Sequence, residues 1–238
     1  MEIIVPKIKP LIVRKKIPET TSKIDKTGLR LYLDFAELSG NLALDQSGYG
    51  NHGIIYGASR VKRLGYDALY FDGVDDYVDC GDDKSLRITD ELTIEVWVKC
   101  YRVSGNNEDI IGKKSYSGYR IGATGDRIRL TIQTTGGYND LDFWDVQLDA
   151  WYHIVGTFKK DNFVRLYVNN ELKDKKEGAS LNPGPIEDTT GASLILGKGV
   201  FTNTFFHGLI GKLRIYSCAK SERRVREDFE NERILFGV

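Results

Sequence analysis

Leu92-Thr93-Ile94-Glu95-Val96-Trp97-Val98-Lys99-Cys100 is the stretch whose reading decides the fold. Leu92, Ile94, Val96 and Val98 fall on one side of an extended chain, and Thr93, Glu95, Trp97 and Lys99 on the other. That two-residue period is the signature of a β-strand with a buried face. Val164-Arg165-Leu166-Tyr167-Val168 repeats it, and the Asn169-Asn170 pair that follows is a turn signal. Further strands are expected at Leu29–Phe35, Ala68–Phe71, Arg127–Gln133, Trp151–Phe158, Leu194–Leu196 and Leu209–Tyr216. Gly136-Gly137 and Asn182-Pro183-Gly184-Pro185 read as turns. One helix is expected, over Glu222–Asn231, with Ser221 as its N-cap and a Val225–Phe229 contact one turn apart. Many short strands joined by turn-rich connections predict an all-β, antiparallel two-sheet jelly-roll β-sandwich over residues 27–238.

Residues 1–26 read differently. Pro6, Pro10 and Pro18 interrupt short apolar pieces, Ile3-Ile4-Val5 and Leu11-Ile12-Val13, and rule out a continuous helix. The segment is expected to be an extended arm. Its β-prone pieces suit strand addition to the sheet edge of a neighbouring subunit, so self-assembly or contact with other structural subunits is the partner expected of it.

Composition excludes several function classes. Lys plus Arg and Asp plus Glu are balanced at 34 each, so no global charge draws the chain to nucleic acid. No run approaches the ~20 apolar residues of a membrane span. The N-terminal residues carry no secretory signal pattern, which predicts cytosolic synthesis, with incorporation into a virion or an extracellular assembly as the route to a role elsewhere. The three cysteines, Cys80, Cys100 and Cys218, form no C-x-x-C pair.

Five segments in order resemble the laminin G-like jelly rolls of the concanavalin A-like lectin and glucanase superfamily. They are Asp45-Gln46-Ser47-Gly48-Tyr49-Gly50-Asn51-His52-Gly53, Ala68–Val78, Leu92–Val98, the pair Trp151–Phe158 and Val164–Asn169, and Gly208–Tyr216. The resemblance implies a β-sandwich. It says little about function, because the superfamily includes sugar-binding, protein-binding and structural modules. Trp97 and Trp151 are expected to fill the space between the sheets.

Glucanases of this kind carry their catalytic acids on alternate positions of one strand, commonly as E-x-D-x-x-E, and this chain has no such motif. The nearest imitation, Asp140-Leu141-Asp142-Phe143-Trp144-Asp145, lacks the glutamates, and His52, His153 and His207 are scattered. No enzyme activity is expected. Relatives often bind a structural calcium ion with the first loop, which makes Asp45 and Asn51 the positional matches. Asp72 and Asp76 of the following acidic turn add carboxylates. Where many relatives carry an acidic pair after the final glycine, this chain has Lys212. Tyr138, Phe143, Trp144, Phe201 and Phe205 lie in loop-like stretches and could offer a glycan or a protein an aromatic surface. Two functions follow as expectations. The first is a non-catalytic structural or assembly protein of a larger particle, such as a virion shell, tail or surface filament. The second is a carbohydrate-binding, lectin-like module, with or without calcium.

Overall fold

The computed structural model describes residues 24–103, 108–113, 118–124, 126–199 and 204–238. The proposed arm residues Ile3, Ile4, Val5, Leu11, Ile12 and Val13, and Phe201, lie outside these. The strands in chain order begin β1 (Leu29–Leu33), β2 (Leu42–Ala43), β3 (Gly53–Tyr56), β4 (Ser59–Lys62), β5 (Asp67–Asp72), β6 (Tyr77–Asp79) and β7 (Glu91–Cys100). They continue β8 (Glu108–Lys113), β9 (Gly118–Thr124), β10 (Arg127–Thr134), β11 (Gly137–Trp144), β12 (Trp151–Lys159), β13 (Phe163–Val168), β14 (Glu171–Glu177), β15 (Leu194–Leu196) and β16 (His207–Tyr216). Helix α1 (Glu222–Phe236) follows.

One sheet runs β14-β13-β12-β7-β16-β5-β4, with β1 also paired to β16, and the other runs β11-β10-β9-β8-β15-β6-β3-β2. Every pairing among the described strands is antiparallel. The core between the sheets takes Leu92, Ile94, Val96 and Val98 from β7, against Ile121, Ile128, Leu130, Ile132 and Leu194 from the second sheet. Burial of such side chains is the main force closing the sandwich, at roughly 1.5–3 kcal/mol each.

The opposite face of β7 is also buried, and here the structure corrects the sequence reading. Trp97 and Trp151 do not fill the inter-sheet space. They lie on the outer face of the first sheet, beneath α1, in a cluster with Phe229, Phe236, Leu209 and Ala68. The reason is alternation: Trp97 shares its side of the strand with Glu95, not with the Leu92 row. Phe236 stacks on Trp97 with centroids 4.2 Å apart, and Trp97 Nε1 donates to Glu232 Oε2 at 2.8 Å. Ser221 caps the helix as expected, accepting from the Arg224 N–H. The helix runs past the expected end at Asn231 because Phe236 still has a buried site to fill.

A network of charges lies under the same helix. Glu95 accepts from Arg214 Nη1 at 2.7 Å and Lys220 Nζ at 2.6 Å, and its Oε1 lies 3.0 Å from His153 Nε2. Arg214 also reaches Glu232, and Lys220 reaches Asp228 at 2.7 Å. Lys212 is the second cation on Glu232, at 2.9 Å, so the lysine that departs from the family pattern serves the helix contact. Burial alone would raise the Glu95 carboxyl, but the Lys220 and Arg214 charges outweigh it and hold Glu95 well below the usual carboxylate range. Cys80 and Cys100 are buried and Cys218 half-buried, and all three are free thiols.

Candidate binding site

Among the described residues a cleft of about 460 Å³ opens at the rim of the sandwich, between β1, the Asp45–Gly53 loop and the segment before β7. Its construction begins with a β-bulge. Leu29 pairs with Tyr216 and Leu31 with Ile215, so Arg30 is an extra residue without a partner in the ladder. A bulge re-aims a side chain and frees backbone groups from the ladder. The freed Arg30 carbonyl accepts from Ser47 Oγ at 3.0 Å and Asn51 Nδ2 at 2.8 Å. The loop that resembles a calcium loop therefore clamps the bulge.

Asp45 organises the clamp. Its Oδ1 accepts from the Tyr32 and Ser47 N–H groups, each at 2.9 Å, and its Oδ2 from Ser47 Oγ at 2.7 Å and the Asn51 N–H at 3.0 Å. Its own N–H donates to His52 Nδ1 at 2.9 Å. Asn51 Nδ2 also reaches Ser85 Oγ at 2.9 Å, tying in the short 3-10 turn Lys84–Leu86. Four donors use the roughly four acceptor positions of a carboxylate. Asp45 and Asn51 therefore do not fit a cation: the groups aimed at the carboxylate are N–H and O–H, and a metal would have to displace them.

The clamp displays three side chains. Gly48 and Gly50 flank Tyr49 with φ of +96° and +78°, the left-handed conformation that glycine adopts without strain. Tyr49 is thereby lifted onto the rim, 49% exposed. The Arg30 guanidinium lies 4.7 Å from the Tyr49 ring centroid and donates to its hydroxyl. Lys84 projects from the 3-10 turn and is exposed. Asp83, Ser85, Arg87, Thr89, Asp90 and Ser217 complete the lining with Ile88 and Glu91. Such an assembly offers an aromatic surface, hydroxyls and cations within one concavity.

The other expected site residues fall elsewhere. Asp72 and Asp76 are brought together with Asp75 in the turn between β5 and β6, with one carboxylate oxygen of each within 4.8 Å of the others. Asp45 is not in that group. Asp76 Oδ2 accepts from the Asp72 N–H at 2.8 Å, and burial, followed by the neighbouring acids, raises its carboxyl. Tyr138 and Trp144 stand on the outer face of β11 but near its two ends, six positions apart, or about 20 Å at strand rise. Phe143 turns inward, meeting Tyr152 edge-on at 5.6 Å. These residues build no shared platform, because the length of β11 separates the first two and its pleat removes the third. Phe205 is half-buried, with Lys198 Nζ 5.6 Å from its ring. Asp142 is held by Arg129 at 2.8 and 2.9 Å, and Asp140 by Thr131 Oγ1 at 2.7 Å. Two of the three acids of the glucanase-like stretch are thus committed to cross-strand partners, and the third, Asp145, is exposed just past the end of β11.

Sequence reading missed Arg30 and Lys84 and did not single out Tyr49. The Gly-Tyr-Gly triplet was the available signal for Tyr49. Nothing in the sequence marks the bulge at Arg30.

No curated protein matches the chain by sequence. By structure it resembles the binding domain of Paraclostridial Mosquitocidal Protein 1, at a TM-score of 0.67 and 17% identity, covering 86% of this chain and 52% of that one. It also resembles the botulinum neurotoxin serotype D ligand binding domain in complex with N-acetylneuraminic acid (TM-score 0.69, 18% identity, 87% and 52% covered). The serotype G binding domain is similar at a TM-score of 0.68 and 18% identity, with 85% and 50% covered. The chain spans about half the length of each. Residues 72–226 match a family model, a segment that begins after Arg30 and Tyr49. On that match and the jelly-roll architecture, the chain belongs to the Concanavalin A-like lectin/glucanases superfamily.

Proposed function

We propose that this chain is a non-catalytic, lectin-like module that binds carbohydrate in the cleft beside Tyr49. The observation that carries the reading is the cleft itself: an exposed aromatic side chain held by Arg30 beside several hydroxyl and charged groups, in a concavity of ligand size. Apolar C–H faces of a sugar pack on an aromatic ring while its hydroxyls find the polar wall. The structural neighbours support a binding role, since they are binding domains, one of them in complex with N-acetylneuraminic acid. At 17–18% identity that likeness concerns the fold, and the receptors of those toxins are not carried over. The engagement of Asp142 by Arg129 and of Asp140 by Thr131 and Arg129 supports a binding role over hydrolysis. The assembly reading rested on the arm, whose first 23 residues lie outside the described structure. The described surface favours the lectin-like alternative.

A glycan array probed with the purified protein tests the proposal. Binding is expected, and Tyr49→Ala should weaken it about tenfold, the effect of ~1.4 kcal/mol, with unchanged circular dichroism. Trp144→Ala, at the distant end of β11, should leave it unaltered. Absence of binding to every glycan, or binding indifferent to Tyr49→Ala, would overturn the proposal.

A further inference from the structure

Resting on that carbohydrate-binding reading, we infer that the cleft selects a saccharide bearing a carboxylate, held by Arg30 and Lys84. The argument is an account of the charges that line it. Its acids are already engaged. Asp83 Oδ1 accepts from the Ser85 N–H at 2.8 Å and caps the 3-10 turn, which holds its carboxyl below the usual range. Glu91 pairs with Lys159 at 2.9 Å and accepts from the Ala219 N–H at 3.1 Å. Asp90 faces Lys160 at 3.6 Å. Among the cations, Arg87 is held by Asp82 at 2.9 Å. Arg30 and Lys84 form no ion pair with a carboxylate among the described residues, whose pairs involve other cations.

Outside its ion pairs the cleft thus presents two cations, Arg30 and Lys84, against one carboxylate, Asp83, whose charge Lys84 already feels, a balance of one positive charge carried by Arg30. Arg30 is half-buried, its backbone is fixed by the bulge and the loop clamp, and its guanidinium is placed against Tyr49. A planar guanidinium matches a carboxylate in a two-pronged contact. Lys84 adds a second positive charge from the 3-10 turn. Tyr49 accepts from Arg30 and keeps its hydroxyl proton to donate. A neutral sugar would use the ring and the hydroxyls and leave that positive balance unanswered, whereas an acidic one answers it.

Paired probes test this with the full chain: sialyllactose against lactose, and trigalacturonate against its methyl ester, by isothermal titration. The acidic member of each pair is expected to bind at least about tenfold more tightly. That preference should weaken with added salt and fall towards one in Lys84→Gln and in Arg30→Gln. Because Arg30 also supports Tyr49, the exposed Lys84 variant is the test free of rearrangement. Equal affinity for acidic and neutral members would overturn the acid selectivity and leave the lectin reading standing. Acidic preference that survives both substitutions would place the anion site elsewhere. No binding by any member, together with a blank array, would remove the carbohydrate reading itself.

Discussion

Glu95→Gln is the most informative single change in this molecule. It keeps the shape of the side chain and removes the charge at the centre of the network under α1. Glu95 is 1% exposed and meets two cations at 2.6 and 2.7 Å and His153 at 3.0 Å. Removing one partner of a buried ion pair costs about 3–5 kcal/mol, because the remaining charge stays buried and uncompensated. Arg214 would keep Glu232, and Lys220 would keep Asp228, so the lower end applies, about 3 kcal/mol. That is a large part of the about 5–15 kcal/mol that holds a typical domain together. For a chain of this size it lowers the melting temperature by roughly 6–12 °C. The pH dependence has a definite sign. Glu95 and Glu232 are both held below their usual range, so they bind fewer protons when folded than when unfolded. Their contribution is complete above the unfolded value of about pH 4.3 and is lost as pH falls below it. Asp228, raised chiefly by burial, works in the opposite direction, one group against two. Urea titration followed by tryptophan fluorescence is the assay, since Trp97 and Trp151 report on the helix contact directly. The variant should unfold at lower urea, and its stability should fall less steeply below pH 4.3 than that of the native protein. Glu177→Gln, in the half-exposed surface pairs with Lys175 and Arg165, should move the midpoint far less. A Glu95→Gln effect under about 1 kcal/mol, or an identical acid slope, would refute the reasoning.

Two further outcomes are expected. Asp45→Ala should destabilise the protein by about 3 kcal/mol, since four donors lose their acceptor, and by the same amount in calcium and in chelator. A calcium-dependent difference between the two melting curves would show that the loop serves a metal after all. Phe236→Ala should cost about 3 kcal/mol by emptying the site against Trp97 and Trp151, with a matching loss of near-ultraviolet dichroism; a silent change would mean that the last turn of α1 is not docked.

The sandwich was legible because strand periodicity is local. Leu92–Cys100 alternates, and the alternation alone separates the row facing the second sheet from the row carrying Glu95 and Trp97. What lies over each row is a tertiary matter: α1 covers the second row and draws Trp97 out of the expected inter-sheet position. Polar edges were illegible for a similar reason. β14, Glu-Leu-Lys-Asp-Lys-Lys-Glu, buries too little for its period to show, and its strand character comes from pairing with β13. The Asp45–Gly53 loop was visible as a motif, and its Asx-rich chemistry was readable. Its purpose was not, because its partners are Tyr32, Arg30 and Ser85, distant in the chain. A bulge is a mismatch between two strands and leaves no mark in either one alone. The sequence by itself therefore determined the class of fold and the loop that shapes the cleft. Only the tertiary structure decided that Arg30, Tyr49 and Lys84 meet, because their proximity depends on strand register.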